Sequence, residues 1–580
     1  MKNNYKNLAI IFLATLIAAS PFFGVYVPRV EATGLWTLYN LVGEQDEEML
    51  GRPVQFIGDI NNDTYEDFAV GSMGYDLDMG VDGIVEDAGR VQIYSGQNGA
   101  LIRTHTPPTV NTVTTGVFFG SAFSGIGDVN GDGYGDYAIT DPRFSTGEGP
   151  AIANERGRIF AFSGANGGVL WTYTGTEDYQ FMGGNSNIMS ARDFNSDGKR
   201  DVAVGIPGAG PYGMRRAGAI MILNAVNGAE ITRFNGTKSD DYVGKSFDTG
   251  FDINGDGVED FIVGYLLNSD AAFFAGKVEV ISGQNLANPT VIYTQPGPGT
   301  RYAFFGVFVQ FLGDTNNDGR SDFAASSTET VSALDWVGSL RIFSGMDNSL
   351  VRQYNGTEKD ELFSWSLADA GDMDNDGLGY KEVISAGLMA ANGAGRADVF
   401  GVRAGAKWDK IPGGASGENV GSDIDGGKDV DKDGIPDLIL GSIGGQFGAI
   451  FPGRARVVRG DPTHVPAGAS IEVHPEIGKT GTSLVFPTVT TSGNITLTYL
   501  NQTATGANFR AKQANKLEYW IITTNAAFSG NTTVCVKYNQ AAQGYDETKI
   551  DLQHLEGTFT AKTTTRDAAN DVVCGTVTSL

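Results

Sequence analysis

The sequence predicts an all-β chain, a seven-bladed β-propeller followed by a β-sandwich domain, and three observations predict it. A nine-residue acidic loop, D-x-[ND]-x-D-G-x-x-D, recurs seven times at intervals of 57 to 69 residues. A period of this size marks one supersecondary unit copied along the chain. Each repeat carries four short apolar or alternating segments separated by Gly-rich turns, which is the content of a propeller blade. Glycine supplies 81 of the 580 residues, and no long stretch shows the apolar period of a helix.

The chain opens with Lys2 and Lys6, then an apolar run from Leu8 to Ala19, then Val30-Glu31-Ala32. A basic start, an apolar stretch and a small-residue cleavage site predict a secretory signal peptide over 1–32, and hence a secreted or cell-surface protein. The next segment, Gly34-Leu-Trp-Thr-Leu-Tyr-Asn, reads like the fourth strand of a later repeat, Gly168-Val-Leu-Trp-Thr-Tyr. The seventh repeat leaves the pattern after its third strand, Gly453-Arg-Ala-Arg-Val-Val-Arg-Gly460. The N-terminal strand is therefore expected to complete the last blade. That pairing closes the ring over 33–461 and removes an exposed sheet edge.

The loop itself is a set of hard oxygen donors. In the fourth copy Asp252, Asn254, Asp256 and Asp260 hold positions 1, 3, 5 and 9, and Gly257 at position 6 permits a left-handed turn. The equivalent positions are Asp59, Asn61, Asp63 and Asp67 in the first copy, Asp128, Asn130, Asp132 and Asp136 in the second, and Asp193, Asn195, Asp197 and Asp201 in the third. They are Asp314, Asn316, Asp318 and Asp322 in the fifth, Asp372, Asp374 and Asp376 in the sixth, and Asp429, Asp431, Asp433 and Asp437 in the seventh. Such donors in a flexible ring suit Ca²⁺ better than Mg²⁺, and the lack of soft ligands argues against zinc or copper. An EF-hand would carry Glu at position 12 between two helices; here the last carboxylate is at position 9 and a strand follows. Up to seven Ca²⁺ are expected. The first copy has Thr64 where Gly is expected, so its turn should be strained or reshaped. The sixth has Tyr380 at position 9, and Glu382 is the expected stand-in. The seventh should bind best and the first or sixth worst.

A longer phrase surrounds each loop. A bulky residue and a Gly precede it, as in Phe119-Gly120, Val243-Gly244, Phe305-Gly306 and Val420-Gly421. A second Gly opens the third strand, as in Gly89-Arg-Val-Gln-Ile-Tyr-Ser-Gly and Gly157-Arg-Ile-Phe-Ala-Phe-Ser-Gly. This phrase resembles the FG-GAP repeat of the integrin α-subunit β-propeller. Departures are Leu50-Gly51 in the first repeat and Phe363-Ser364 in the sixth. The resemblance implies Ca²⁺ loops in the hairpin between the first two strands. It also implies ligand recognition on the other face, which integrin α-subunits use for ligand and for their β-subunit. That face carries the long variable loops Ser72–Ala88, Thr140–Arg156, Ile206–Ala217, Tyr265–Ala275 and Ser326–Val337, with Tyr75, Tyr212, Arg215, Arg216, Phe273, Phe274 and Trp336 among their residues.

From 462 to 580 the composition shifts to Thr, Val and Asn in alternation, and about seven strands predict a β-sandwich. This part resembles accessory β-sandwich domains of bacterial surface proteins. The two cysteines, Cys535 and Cys574, both lie here, and in an exported chain they are expected to form a disulfide. Arg459-Gly460-Asp461 is a tripeptide that integrins recognise, at a strand end where an interdomain turn is the simpler account.

Net charge is −27, and the loops place 23 carboxylates at ligand positions. The acidity is mostly a metal-binding signature, and nucleic acid is not an expected partner. The four histidines, His105, His464, His474 and His554, form no spaced pair, and there is no Gly-x-Ser-x-Gly elbow. His105 reads as a surface residue on a fourth strand. No catalytic residues are assigned. The reading is a Ca²⁺-binding propeller for adhesion or for an extracellular protein or glycan ligand, and not an enzyme. The alternatives are an extracellular enzyme acting on polysaccharide or lipid, and a structural surface-layer or matrix component.

Overall fold

The structure is a computed structural model. It describes residues 35–80, 83–108, 116–145, 155–184, 188–190, 192–328, 330–332, 335–373, 381–402, 406–414, 416–432, 434–444 and 452–460, and beyond them the strands between 464 and 577. Seven four-stranded antiparallel sheets occupy the repeat region, and the protein is a seven-bladed propeller. In blade 1 the strands are Leu50–Gly58, Asp67–Ser72, Arg90–Tyr94 and Leu101–His105, paired in that order. The first strands of blades 2 to 7 are Phe123–Gly127, Ile188–Ser190, Phe247–Phe251, Val309–Gly313, Phe363–Gly371 and Val420–Lys428.

Ring closure is as the sequence predicts. Leu35–Val42 pairs antiparallel with Arg454–Gly460, Leu35 opposite Gly460 and Val42 opposite Arg454. Packing seals the same seam: Val430, Ile439 and Val457 of the last blade share one apolar cluster with Leu50, Phe56 and Phe68 of the first. Seven such clusters lie among the described residues, one at each blade junction. The core is therefore distributed between blades, with residues such as Val309 and Phe311 of one first strand packed into a junction.

The bulky-Gly pair and the second Gly are one device. The bulky residue of each repeat crosses the start of the preceding blade's third strand. Phe305 N–H reaches the Ala275 carbonyl at 3.0 Å, and Gly276 makes a parallel bridge to Phe305. A Cβ on Gly276 would stand 2.1 Å from the Phe305 carbonyl oxygen, and Gly276 has φ +79°. The residue before each bulky position is left-handed as well: Met49, Phe118, Phe181, Tyr242, Phe304, Leu362 and Asn419 have φ between 49° and 62°. Ser364, in the Gly position of the sixth repeat, keeps φ +65°. These strained crossings hold the 4–1 loops against the 2–3 loops of the preceding blade.

Inner strands carry edge N–H groups toward the ring axis, and neighbouring side chains satisfy them. Asp423 and Asp425 of blade 7 accept the N–H groups of Val54 and Phe56, each at 2.9 Å. Ser246 and Asp248 of blade 4 do the same for Val309 and Phe311, at 3.0 and 2.7 Å.

Beyond residue 460 the described residues form twelve strands rather than about seven, in two antiparallel sheets. The difference arises where long extended runs change sheet. Ser483–Thr491 and Gly493–Tyr499 lie in different sheets with one residue between them, as do Thr558–Ala561 and Thr563–Asp567. His105 also departs from expectation. It is half-buried, bonded through Nε2 to the Tyr137 hydroxyl at 2.7 Å and set 4.2 Å from the Phe162 ring. Burial, then the Arg103 charge, lowers it to about 4, so it is a neutral packing residue at the junction of blades 1 and 2.

Candidate metal centres

Every acidic loop joins the first and second strands of its blade, so all described loops share one face. Their internal hydrogen bonds repeat. The carboxylate at position 1 accepts backbone N–H groups from positions 5 and 6: Asp252 takes those of Asp256 and Gly257 at 3.1 and 2.7 Å, and Asp314 those of Asp318 and Gly319 at 3.1 and 2.8 Å. The position-3 Asn bridges to position 5, as from Asn254 Nδ2 to Asp256 Oδ2 at 2.9 Å.

Position 9 does something the sequence did not announce. In the six blades that have an Asp there, its carboxylate is buried and brackets two backbone groups. Asp260 accepts the N–H of Ile253 at 3.0 Å and that of Gly283, at the end of the third strand, at 3.2 Å. Asp67 does so for Ile60 and Gly96, Asp136 for Val129 and Gly164, Asp322 for Thr315 and Gly345, and Asp437 for Val430 and Gly460. Asp201 brackets Phe194 and Ala225. Glu382 accepts the Met373 N–H at 2.9 Å and is buried, so it stands in for Tyr380 at this position. Burial raises Asp67 to about 7 and Asp260 and Asp322 to about 6, with backbone donors pulling the other way. The Ser-Gly after the third strand of blades 1, 2, 4 and 5 was the available signal. A Cβ on Gly96, Gly164, Gly283 or Gly345 would meet a carbonyl oxygen at 1.9 Å.

The loops differ as donors. In the seventh, Asp429, Asp431 and Asp437 bring ligand oxygens within 4.8 Å of one another, a group found at no other place among the described residues. In the sixth, Asp372 Oδ1 is buried without a hydrogen-bond partner; Asp374 and Asp376 lie outside the described residues, as does Asp433. In the first, Thr64 keeps the turn by adopting φ +73°, donating its N–H to Asp59 at 2.7 Å. That is a strained state for a β-branched residue. Lys432 of the seventh loop donates to the Thr64 hydroxyl and lies 4.0 Å from the Tyr65 ring. Lys199 of the third loop likewise donates to the Asp128 carbonyl of the second, and Arg200 pairs with Glu259 of the fourth at 2.6 and 2.8 Å.

Arg459 forms an ion pair with Asp431 at 2.7 Å, and Gly460 is buried. Asp461 and the segment 1–32 are outside the described residues. Cys535 is the cross-strand partner of Cys574 in the ladder between Thr532–Lys537 and Val572–Val577.

The antiparallel strands place the 2–3 and 4–1 loops on the face away from the acidic loops. A run of aromatic rings crosses it from blade 4 to blade 5. Phe273 and Phe274 stack at 4.1 Å, Tyr302 meets Phe273 edge-on at 5.4 Å, and Phe304 stacks on Trp336 at 6.0 Å. Phe273, Tyr302 and Trp336 remain 43, 43 and 39% exposed. Tyr75 instead lies under Arg90, 4.0 Å from the ring, and Arg215 and Arg216 both pair with Asp240.

No protein-family model matches the chain. Integrin alpha-5 of Xenopus laevis is 34% identical over 148 residues, which is 25% of this chain and 13% of that protein. Integrin alpha-8 of Gallus gallus is 29% identical over 214 residues, 35% of this chain and 19% of its own length. Integrin alpha-11 of Homo sapiens is 29% identical over 192 residues, 31% of this chain and 15% of its own. The chain thus spans less than one fifth of the length of these relatives. Among solved structures, BBS1N in complex with ARL6DN, soaked with lead, aligns with 74% of this chain and 97% of its own at 10% identity, with a TM-score of 0.41. Repeat phrase, blade count and the integrin similarities agree: the repeat region is an integrin-α-like β-propeller.

Proposed function

We propose that this chain is an exported, Ca²⁺-stabilised, non-catalytic propeller that binds an extracellular protein or glycan on the face away from its acidic loops. One observation carries the reading: the exposed aromatic run Phe273–Phe274–Tyr302–Phe304–Trp336 on that face. Large rings left in solvent as a contiguous patch, on loops anchored by strained crossings, are a recognition surface. Ca²⁺ would sit in the acidic loops, held by the residues at positions 1, 3, 5 and 9, and would neutralise carboxylates that otherwise repel. The convergence of Asp429, Asp431 and Asp437 and the orphaned oxygen of Asp372 support that fit. The partition proposed is a signal peptide over 1–32, the propeller over 33–461 and a β-sandwich over 462–580, with a Cys535–Cys574 disulfide supported by their register.

A glycan and extracellular-protein binding screen tests the reading, repeated after shortening Tyr265–Ala275 and Ser326–Val337. Binding should fall with the loops. Binding that survives both changes and ends only on deleting 462–580 would assign recognition to the C-terminal domain instead.

A further inference from the structure

The residue at the end of each third strand stands beside its own blade's acidic loop. In six blades the next residue is fixed there by the position-9 carboxylate, as Gly96 is by Asp67 and Gly460 by Asp437. In blades 1, 2, 3 and 5 the strand-end residue is a neutral donor to the carboxylate at position 5. Ser95 donates to Asp63 at 3.2 Å, Ser163 to Asp132 at 3.5 Å, Asn224 to Asp197 at 2.7 Å and Ser344 to Asp318 at 2.7 Å.

Blade 7 departs from this pattern twice, and the two departures meet. Position 3, which is Asn in the first five loops, is Asp431, and the strand-end residue is Arg459. Arg459 Nε lies 2.7 Å from Asp431 Oδ2, and the two side chains are only 21 and 19% exposed. Solvent and salt therefore screen the pair only in part. Lys432, within the loop itself, is engaged with Thr64 and Tyr65 of the first loop. The Asn-type loops carry three carboxylates at positions 1, 3, 5 and 9, and the seventh carries four. The guanidinium of Arg459 offsets the fourth. The sixth loop gives the contrast. It also has Asp at position 3, but its third strand ends at Gly401, which has no side chain, and Asp372 Oδ1 is buried without a hydrogen-bond partner.

We propose that Arg459 is a built-in competitor for Ca²⁺ at the seventh loop. It claims Asp431 and lowers the affinity that the gathered carboxylates would otherwise give. One guanidinium beside a ligand carboxylate opposes a divalent ion by roughly tenfold in affinity. The same charge relieves the repulsion among Asp429, Asp431 and Asp437 when Ca²⁺ is scarce. The blade that closes the ring thus keeps its hairpin without depending on the ion, and its loop responds to higher Ca²⁺ than its carboxylates alone would require. The inference rests on the reading that the acidic loops bind Ca²⁺.

The test titrates the full chain with Ca²⁺ in chelator-buffered solution, read by calorimetry and by melting temperature. Arg459→Gln should move one equivalent of Ca²⁺ to about tenfold lower free concentration. It should also melt below wild type in EDTA and level with it in saturating Ca²⁺. Lost packing alone would lower both temperatures. Arg459→Lys, which keeps the charge, should stay near wild type. Arg459→Ser, which installs the neutral donor of blade 1, gives the same readout as Arg459→Gln should the latter fail to fold. The gain should shrink in an Asp431→Asn background, because the carboxylate through which Arg459 acts is then missing. Unchanged or weaker Ca²⁺ binding by Arg459→Gln and Arg459→Ser overturns the proposal and leaves the Ca²⁺ reading standing. An equal gain with and without Asp431 overturns it too. No Ca²⁺ uptake by wild type sinks the Ca²⁺ reading and this inference with it.

Discussion

Asp260 and its equivalents occupy the position where the proposed metal ligation and the backbone bracketing meet. Removing the carboxylate leaves the buried N–H groups of Ile253 and Gly283 without an acceptor, which costs on the order of 2–4 kcal/mol. Asp260→Ala should therefore lower the urea midpoint by that amount in EDTA as well as in Ca²⁺. A penalty confined to Ca²⁺ would mean that the bracket contributes nothing of its own. Glycines separate in the same way. Gly257 has φ +85° and open space around a built Cβ, while Gly276 would meet Phe305. Gly257→Ala should cost about 1–2 kcal/mol, and Gly276→Ala roughly 3 kcal/mol or more, both read by chemical denaturation. The acidic-loop positions were legible because they recur in register, and Glu382 because it follows the one copy that has Tyr380 at position 9. The left-handed Phe118, Tyr242 and Phe304 were not, because no Gly or Asn marks them; tertiary crossings impose the conformation. His105 was misread because its partners, Tyr137 and Phe162, belong to the next blade.

Elements follow the same division. Four strands per repeat and the closing N-terminal strand could be read from aligned phrases. The sheet-switching runs near 492 and 562 could not, since alternation does not say which sheet a strand joins. The Leu35–Val42 strand covers the edge of Arg454–Gly460. Deleting 33–42 should lower the melting temperature by calorimetry and produce association by light scattering, because a bare edge pairs with other chains. A monomer with unchanged melting would deny that strand its role. At the loops, Asp431→Asn should reduce the Ca²⁺-dependent rise in melting temperature more than Asp63→Asn, because the seventh loop gathers its carboxylates and the first carries Thr64 in the Gly position.

For the whole molecule, two electrostatic systems pull in opposite directions with pH. Burial raises Asp248 to about 7 and Asp423 and Asp425 to about 6, against about 3.9 in an unfolded chain. Folding thus favours their protonated forms. The stability they contribute is full below about pH 4 and is lost as pH rises through 6 to 7. In EDTA the urea midpoint should fall from pH 5 to pH 7.5, and Asp248→Asn should flatten that fall; an unchanged slope would exclude Asp248 as a source. Ca²⁺ should reverse the trend, since its ligands must be ionised. The axial cavity of the ring, about 390 Å³, was invisible in the sequence, because its lining is drawn from six strands spread between residues 50 and 428.

The closing strand has a kinetic consequence. Leu35 must find Gly460, so a strand made before all seven repeats is the last to be placed. Individual blades can form from neighbours in sequence, but the seam waits for almost the whole propeller to exist. Such a distant pairing is slow to form and, once formed, removes the free ends from which a repeat array frays. A permuted chain that carries 35–42 directly after 460 would convert that long search into a local hairpin. It should refold faster by stopped-flow fluorescence while unfolding from its newly opened junction.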